Sequence, residues 1–234
     1  MQVTEYKTAN AFLDINREML MKNEAANAIL LSYAERQVQG VESTISTKFY
    51  SIDEGNQPLL PAMFTPEVVP LLSDGPDEAA RILARFFYPK NPRPTGVNGP
   101  ADASLAFADE WEHLTHCDLE IQSNLRIHTC SSVEKTKLPS GNHRVATKDD
   151  FDLVKSWREA FRDEVDAIVL VNDDLIRSQI EDGRVHLWIT DQPVSQALNG
   201  GETGNGGMIG AVYTPPEHRN HGYGTAITAA LTQA

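Results

Sequence analysis

The chain has 234 residues, 41% of them hydrophobic and 23% charged. That is enough for a packed core in one large or two small domains. The net charge of -13 argues against a nucleic-acid surface, which needs clustered Lys and Arg to neutralise phosphates, and against docking on an anionic membrane. No run approaches the roughly 20 apolar residues of a membrane span. The first residues, MQVTEYKTANAFLDINREML, carry acids and lack the basic start and apolar run of a signal peptide. Neither nucleic acid nor membrane is expected as a partner, and a cytoplasmic location is expected.

In chain order, Phe12, Ile15, Met19 and Leu20, then Ala25, Ala28, Ile29, Leu30 and Tyr33, recur at helical spacing and predict two opening helices. Ser43–Ser51 alternates and is rich in β-branched residues, so it predicts a strand. A second short strand falls within Ala62–Leu72. The turn Ser73-Asp74-Gly75-Pro76 leads into a helix with Pro76 in its first turn. Asn91–Pro100 reads as a loop from its Pro and Gly content, and a helix follows over Ala101–Thr115. His113 and His116 on that helix share a side. No third ligand accompanies them, so no metal is expected. Leu119–Val133 predicts another strand, flanked by Cys117 and Cys130; two reduced, buried thiols are expected there.

Lys135–Asn142 is the best linker candidate, dividing the chain into lobes 1–140 and 141–234. Beyond it, Arg144–Ala146 predicts a short strand. Thr147 and Asp150 have the spacing of a helix-start capping pair. Phe151, Val154, Trp157, Ala160 and Phe161 mark one helix face, and a second helix covers Asp173–Glu181, ending at Gly183. Strands follow at Val185–Thr190, Val194–Leu198 and Met208–Thr214, with the glycine-rich run Asn199–Gly207 as a flexible hairpin loop. The last helix starts near Gly222. Trp111, Trp157 and Trp188 are read as core residues. The fold class is α/β of the α+β type. The first half has a similar order of elements and admits reading as a diverged copy of the second, although no residue-level repeat proves it.

The segment Gly207–Leu231, GMIGAVYTPPEHRNHGYGTAITAAL, carries the chemistry. An apolar strand runs into Pro215-Pro216, which cannot continue ladder bonding. An R-x-x-G-x-G loop, Arg219 to Gly224, then opens an Ala-rich helix. The first N–H groups of a helix have no intrahelical acceptor, and the dipole adds positive potential there. Glycines let that backbone approach a diphosphate closely.

Strand, Pro-x-x-Arg-x-x-Gly-x-Gly and helix together resemble the acetyl-CoA-binding motif of the GNAT superfamily of N-acetyltransferases. The words VYTPPE and RxxGYG are similar to those of one bacterial subgroup, which also carries a PTGVNGP-like loop, here Pro94–Pro100, and a V-S element, here Val194-Ser195. The resemblance implies a GNAT-like fold: a mostly antiparallel mixed sheet flanked by helices. It implies that backbone groups of Val212, Tyr213 and Thr214 face the pantetheine arm of acetyl-CoA. It places the diphosphate on Asn220, His221, Gly222, Tyr223, Gly224 and Thr225, with Arg219 beside it. Glu217, His218 and His221 lie nearest the motif as proton acceptors; Glu217 and His218 are the assigned pair. Their alternative is a solvated loop face. Glu159 and Glu164 lie where the family places its acceptor, with a charged helix face as the alternative.

The resemblance also implies a further strand, a helix and a closing strand pair beyond the motif helix, so the sequence is expected to be a shortened form. The expected activity is acetyl transfer to the primary amine of a small-molecule or peptide acceptor. The alternatives are a non-catalytic CoA-binding or interaction protein, and a structural protein with no ligand. Self-association through an unpaired sheet edge is expected, with a homodimer as its simplest form.

Overall fold

The computed structural model describes residues 1–40, 46–66, 68–134, 137–165 and 171–233. The chain forms two compact units, Met1–Asn124 and Leu125–Ala234, each a four-stranded antiparallel sheet with helices on its faces. No helix among the described residues is long and apolar enough to cross a membrane.

The first unit opens with a strand that helical periodicity does not announce, β1 (Gln2–Tyr6). It pairs with β2 (Lys48–Glu54), which pairs in turn with β3 (Gln57–Phe64), and β3 with the short β4 (Leu71–Leu72). The first three residues of the strand expected at Ser43–Ser51 lie outside the described residues. Successive residues of a strand point to opposite faces. Phe49 and Met63 accordingly pack with Phe12, Leu13 and Leu20 of α1 (Ala9–Met21) and with Leu30, Leu31 and Ala34 of α2 (Ala28–Val38). Tyr50, Ile52, Leu60, Ala62 and Phe64 face the other way, onto α3 (Asp77–Phe87) and α4 (Ala101–Thr115). Ile15 and Ile29, expected on the apolar faces, are exposed. Asn16 takes a core position instead, its side-chain amide donating to the Phe12 carbonyl at 2.9 Å. Burying a Phe or Leu side chain contributes about 1.5–3 kcal/mol. The exposed Arg17–Glu35 ion pair joining α1 and α2 contributes at most about 1 kcal/mol, so apolar packing holds this layer.

The strand expected over Leu119–Val133 does not form. Among the described residues no strand pairs with it, and Ile121, Leu125 and Ile127 remain exposed. Cys117 and Cys130 are free thiols, as expected, but exposed rather than buried, because the strand that would have carried them into a core is not there.

The second unit runs β5 (Asn142–Val145), α5 (Phe151–Val165), α6 (Asp173–Glu181), β6 (Val185–Ile189), β7 (Pro193–Glu202), β8 (Gly207–Tyr213) and α7 (Tyr223–Gln233), with sheet order β5-β6-β7-β8. The run Asn199–Gly207 is strand through Glu202 and strand again from Gly207. The flexible loop expected there shrinks to a tight turn, because ladder pairing with β8 captures the glycines. α5 and α6 cover one face through Val154, Trp157, Ile176 and Ile180, and α7 covers part of the other through Ala226 and Ile227. All three tryptophans are buried. The first unit repeats this order up to α3, with the same sheet order.

Thr147 and Asp150 form the expected capping pair at a 3-10 turn leading into α5. The Thr147 N–H donates to the Asp150 carboxylate at 2.7 Å, and Arg144 of β5 grips the same carboxylate at 2.7 and 2.8 Å. The Arg144 guanidinium holds the Asp150 carboxyl at about 2, below its ordinary 3.8. Asp150→Ala should therefore lower the unfolding free energy at neutral pH by about 2 kcal/mol. A depressed carboxyl stabilises above its unfolded value, and that contribution is lost as pH falls from about 4 towards 2. Urea titrations should show Asp150→Ala losing less stability than the parent across that interval.

His143 Nε2 and His186 Nδ1, on adjacent strands, lie 2.6 Å apart with their rings stacked at 4.9 Å. One ring must donate to the other's lone pair, and two protonated rings would leave no acceptor. Burial pushes both below the ordinary 6.5, and the charge of His143 lowers His186 further. Depressed histidines stabilise the fold above their unfolded value, and the contribution falls as pH drops below about 6.5. The urea midpoint should fall between pH 7.5 and 5.5, and His143→Gln should flatten that dependence.

Candidate functional site

β8 is the edge strand of its sheet among the described residues, and it is bulged. Between Tyr213↔Gln196 and Gly210↔Leu198, β8 advances three residues while β7 advances two. Ala211, inside that interval, has φ +46°, a left-handed conformation uncommon outside glycine. Such a bulge bends the strand and interrupts its ladder. This feature is invisible in the sequence, because Ala211 is an ordinary residue for a strand.

The end of β8 is anchored from inside the sheet. The fully buried Ser195 donates to the Tyr213 carbonyl at 3.0 Å, and its oxygen lies 2.9 Å from the Thr214 hydroxyl. This gives the Val194-Ser195 element a physical role: Val194 is in the core, and Ser195 fixes where the strand ends. Pro216–His218 then forms a 3-10 turn, Asn220 and Gly222 take φ +65° and +80°, and α7 begins at Tyr223.

The first helical bond of α7 runs from the Ala226 N–H to the Gly222 carbonyl, 2.9 Å. The N–H groups of Gly222, Tyr223, Gly224 and Thr225 precede it and have no helical acceptor. The first turn of α7 contains no acidic residue. A Cβ at Gly224 would meet Thr214 Oγ1 at 3.5 Å, ordinary contact, so the protein's own packing does not demand glycine there. A surface cavity of about 340 Å³ lies at this helix start, lined by Lys137, Leu138, Pro139, His221, Gly222 and Thr225. Open N–H groups, a glycine backbone and an adjoining cavity suit a phosphate group.

The side chains of the sequence-assigned residues lie as follows. Val212 and Tyr223 pack at the edge of the α7 core layer. The Tyr213 ring is buried against Trp157 and Phe161 of α5, and its hydroxyl donates to Glu164 at 3.0 Å. Burial is the first cause that pushes the Tyr213 phenol up. Arg219 donates through Nε to the Thr214 carbonyl at 2.9 Å and through Nη2 to both Glu164 oxygens at 2.8 and 2.6 Å. Glu217 is exposed on the 3-10 turn, and His218 is half-exposed, with Nε2 3.5 Å from the Gln192 amide nitrogen. His221 Nδ1 lies 2.7 Å from the Arg219 carbonyl, and the ring stacks on Tyr223. Glu159 is half-buried on α5. Sequence reasoning brought Glu164 near the motif but missed its bond to Arg219. It also missed Lys137, which reaches the site from a segment read only as a linker.

The corresponding connection in the first unit is built differently. α3 opens with Asp77 and Glu78 in its first turn, which oppose an anion. The edge of β4 is occupied: Asn98 bridges Leu71 in parallel, with Leu72 N–H to Asn98 O and Asn98 N–H to Pro70 O both 2.8 Å. Gly99 is required for this approach, since a Cβ there would stand 2.9 Å from the Leu72 carbonyl oxygen. The Pro94–Pro100 loop thus closes an edge that β8 leaves open.

Residues 187–234, which contain β8, the glycine loop and α7, match the family model described as FR47-like protein. The whole chain is similar to the X-ray structure of a Drosophila protein solved as a structural-genomics target, with a TM-score of 0.60 at 12% identity over 99% of this chain and 84% of that one. The two share a fold. An acetyltransferase of the GNAT family from Colwellia psychrerythraea aligns with 100% of this chain and 85% of its own, at 8% identity and a TM-score of 0.43. No curated protein matches the chain.

Gly222→Ala should cost about 1–2 kcal/mol, the penalty of a left-handed Cβ. Gly224→Ala, inside a helix and free of clash, should leave stability unchanged or raise it by up to about 1 kcal/mol. Thermal unfolding of the two variants beside the parent tests this assignment.

Proposed function

We propose that this chain is an acyl-CoA-dependent N-acyltransferase of the GNAT type, transferring an acetyl group from acetyl-CoA to the primary amine of a small-molecule or peptide acceptor. The observation that carries the reading is the bulged, edge-exposed β8 followed, through the Pro216–His218 turn, by the glycine loop and the open N–H groups of α7. A strand edge offers backbone donors and acceptors to an extended, amide-containing arm, here through Val212, Tyr213 and Thr214. The loop from Asn220 to Thr225 offers donors to the diphosphate. The FR47-like match over the same residues supports the reading.

In this reading the acceptor amine attacks the thioester carbonyl in a ternary complex. A backbone N–H at the β8 bulge stabilises the developing oxyanion. The amine must lose a proton as the C–N bond forms, and Glu217 and His218 on the adjoining turn are the proposed acceptors. The tetrahedral intermediate collapses with C–S cleavage, and the thiolate leaves with a proton from solvent. The net charge of -13 favours a cationic amine. One observation favours a second reading, coenzyme binding without transfer: Glu164, whose carboxylate meets the end of β8, is engaged by both Arg219 and Tyr213.

Calorimetric titration with acetyl-CoA should show saturable binding, abolished in a folded Gly222→Trp variant. A hundredfold excess over the dissociation constant should add about 2.7 kcal/mol to stability. Absence of binding by the folded parent would sink the proposal. Binding without thiol release across a panel of amines would select the second reading.

A further inference from the structure

We infer that the cation serving the coenzyme's phosphates is Lys137, and that Arg219 is a strut of the loop; this rests on the coenzyme-binding reading above. Arg219 is the natural choice from sequence, since it sits inside the motif. Its guanidinium, however, spends Nε on the Thr214 carbonyl and Nη2 on both oxygens of Glu164. That carboxylate also accepts from Tyr213. Arg219 thereby ties the loop after β8 to α5, and its charge is matched by a carboxylate. To serve a phosphate it would have to release Glu164 and the Thr214 carbonyl together.

Lys137 is placed differently. It lines the cavity at the N–H end of α7 together with His221, Gly222 and Thr225. Among the described residues no carboxylate pairs with it. Its segment lies beside the glycine loop, with Pro139 Cδ 3.8 Å from where a Cβ on Gly222 would stand. It is a compact charge on a flexible stem, able to follow a phosphate without fixed geometry. The site therefore draws on two places in the chain: backbone donors from the motif, and the charge from the segment before β5. The helix start and Lys137 add to one another, because an anion at the α7 N-terminus meets both the open N–H groups and the ammonium.

The test is calorimetric titration of the full chain with coenzyme A and with pantetheine, which lacks the phosphates. The parent, Lys137→Ala, Lys137→Arg and Arg219→Gln are compared at low and high salt. The expected result is that Lys137→Ala weakens coenzyme A about three- to tenfold and flattens its salt dependence. Pantetheine should be unaffected, and Lys137→Arg should restore coenzyme A binding. Arg219→Gln should lower the melting temperature. Parent-like coenzyme A affinity in Lys137→Ala overturns the inference, as does equal weakening of pantetheine. If Arg219→Gln does not fold, Lys137→Ala against the parent decides alone. No coenzyme A binding by the parent removes the coenzyme reading and this inference together, an outcome distinct from a parent that binds equally well without Lys137.

Discussion

A helix cannot satisfy its own first N–H groups, and much of the second unit's local architecture follows from where those of α7 are placed. Three constraints converge on that point. Ser195 fixes the end of β8 by bonding to the Tyr213 carbonyl. Arg219, held by Glu164, fixes the far side of the turn. Gly222, at φ +80°, turns the backbone into the helix. The open donors are thereby held at a surface cavity by contacts within the chain. Such preorganisation lowers the ordering cost of binding.

The strength of the individual ties explains their division of labour. Arg219 and Glu164 are both substantially exposed, so their attraction is screened and contributes modestly to stability. Its geometry matters more than its energy: two oxygens and a backbone carbonyl define one orientation of the turn. The buried Ser195 bond is different. Removing its hydroxyl would take a hydrogen-bond partner from both the Tyr213 carbonyl and the Thr214 hydroxyl. The loop is thus firm on its core side and adjustable on its solvent side, an arrangement suited to a turn that admits a phosphate.

The two units share an order of elements and a sheet order, yet the corresponding connections differ: among the described residues β8 has an unpaired edge and leads to a helix start without acids, whereas β4 and α3 do not. In the first unit Asp77 and Glu78 occupy the first turn of α3, and Asn98 fills the edge of β4. Each feature stabilises the first unit, the acids through the helix dipole and the bridge by satisfying edge groups. Each also removes something an anionic, extended ligand would use. One architecture thus supports packing in one half and a candidate site in the other.

The sequence by itself determined the elements whose signals are local: the capping pair Thr147 and Asp150, α5 to α7, the strands β6 to β8, and the turn chemistry from Pro215 to Gly224. These follow from short-range spacing and from the special backbone of Pro and Gly. It misjudged what depends on a distant neighbour. β1 exists because β2 lies alongside it, and Leu119–Val133 has strand periodicity but no strand to pair with among the described residues. Tertiary structure alone decided the bulge at Ala211, since the register mismatch belongs to a pair of strands and not to either one. It also decided the charges of the site. Arg219 and Glu164 are 55 positions apart, and Lys137 arrives from a segment without regular structure. Pattern within one element carries no information about which side chains meet across the fold, so the site's backbone was legible and its electrostatics were not.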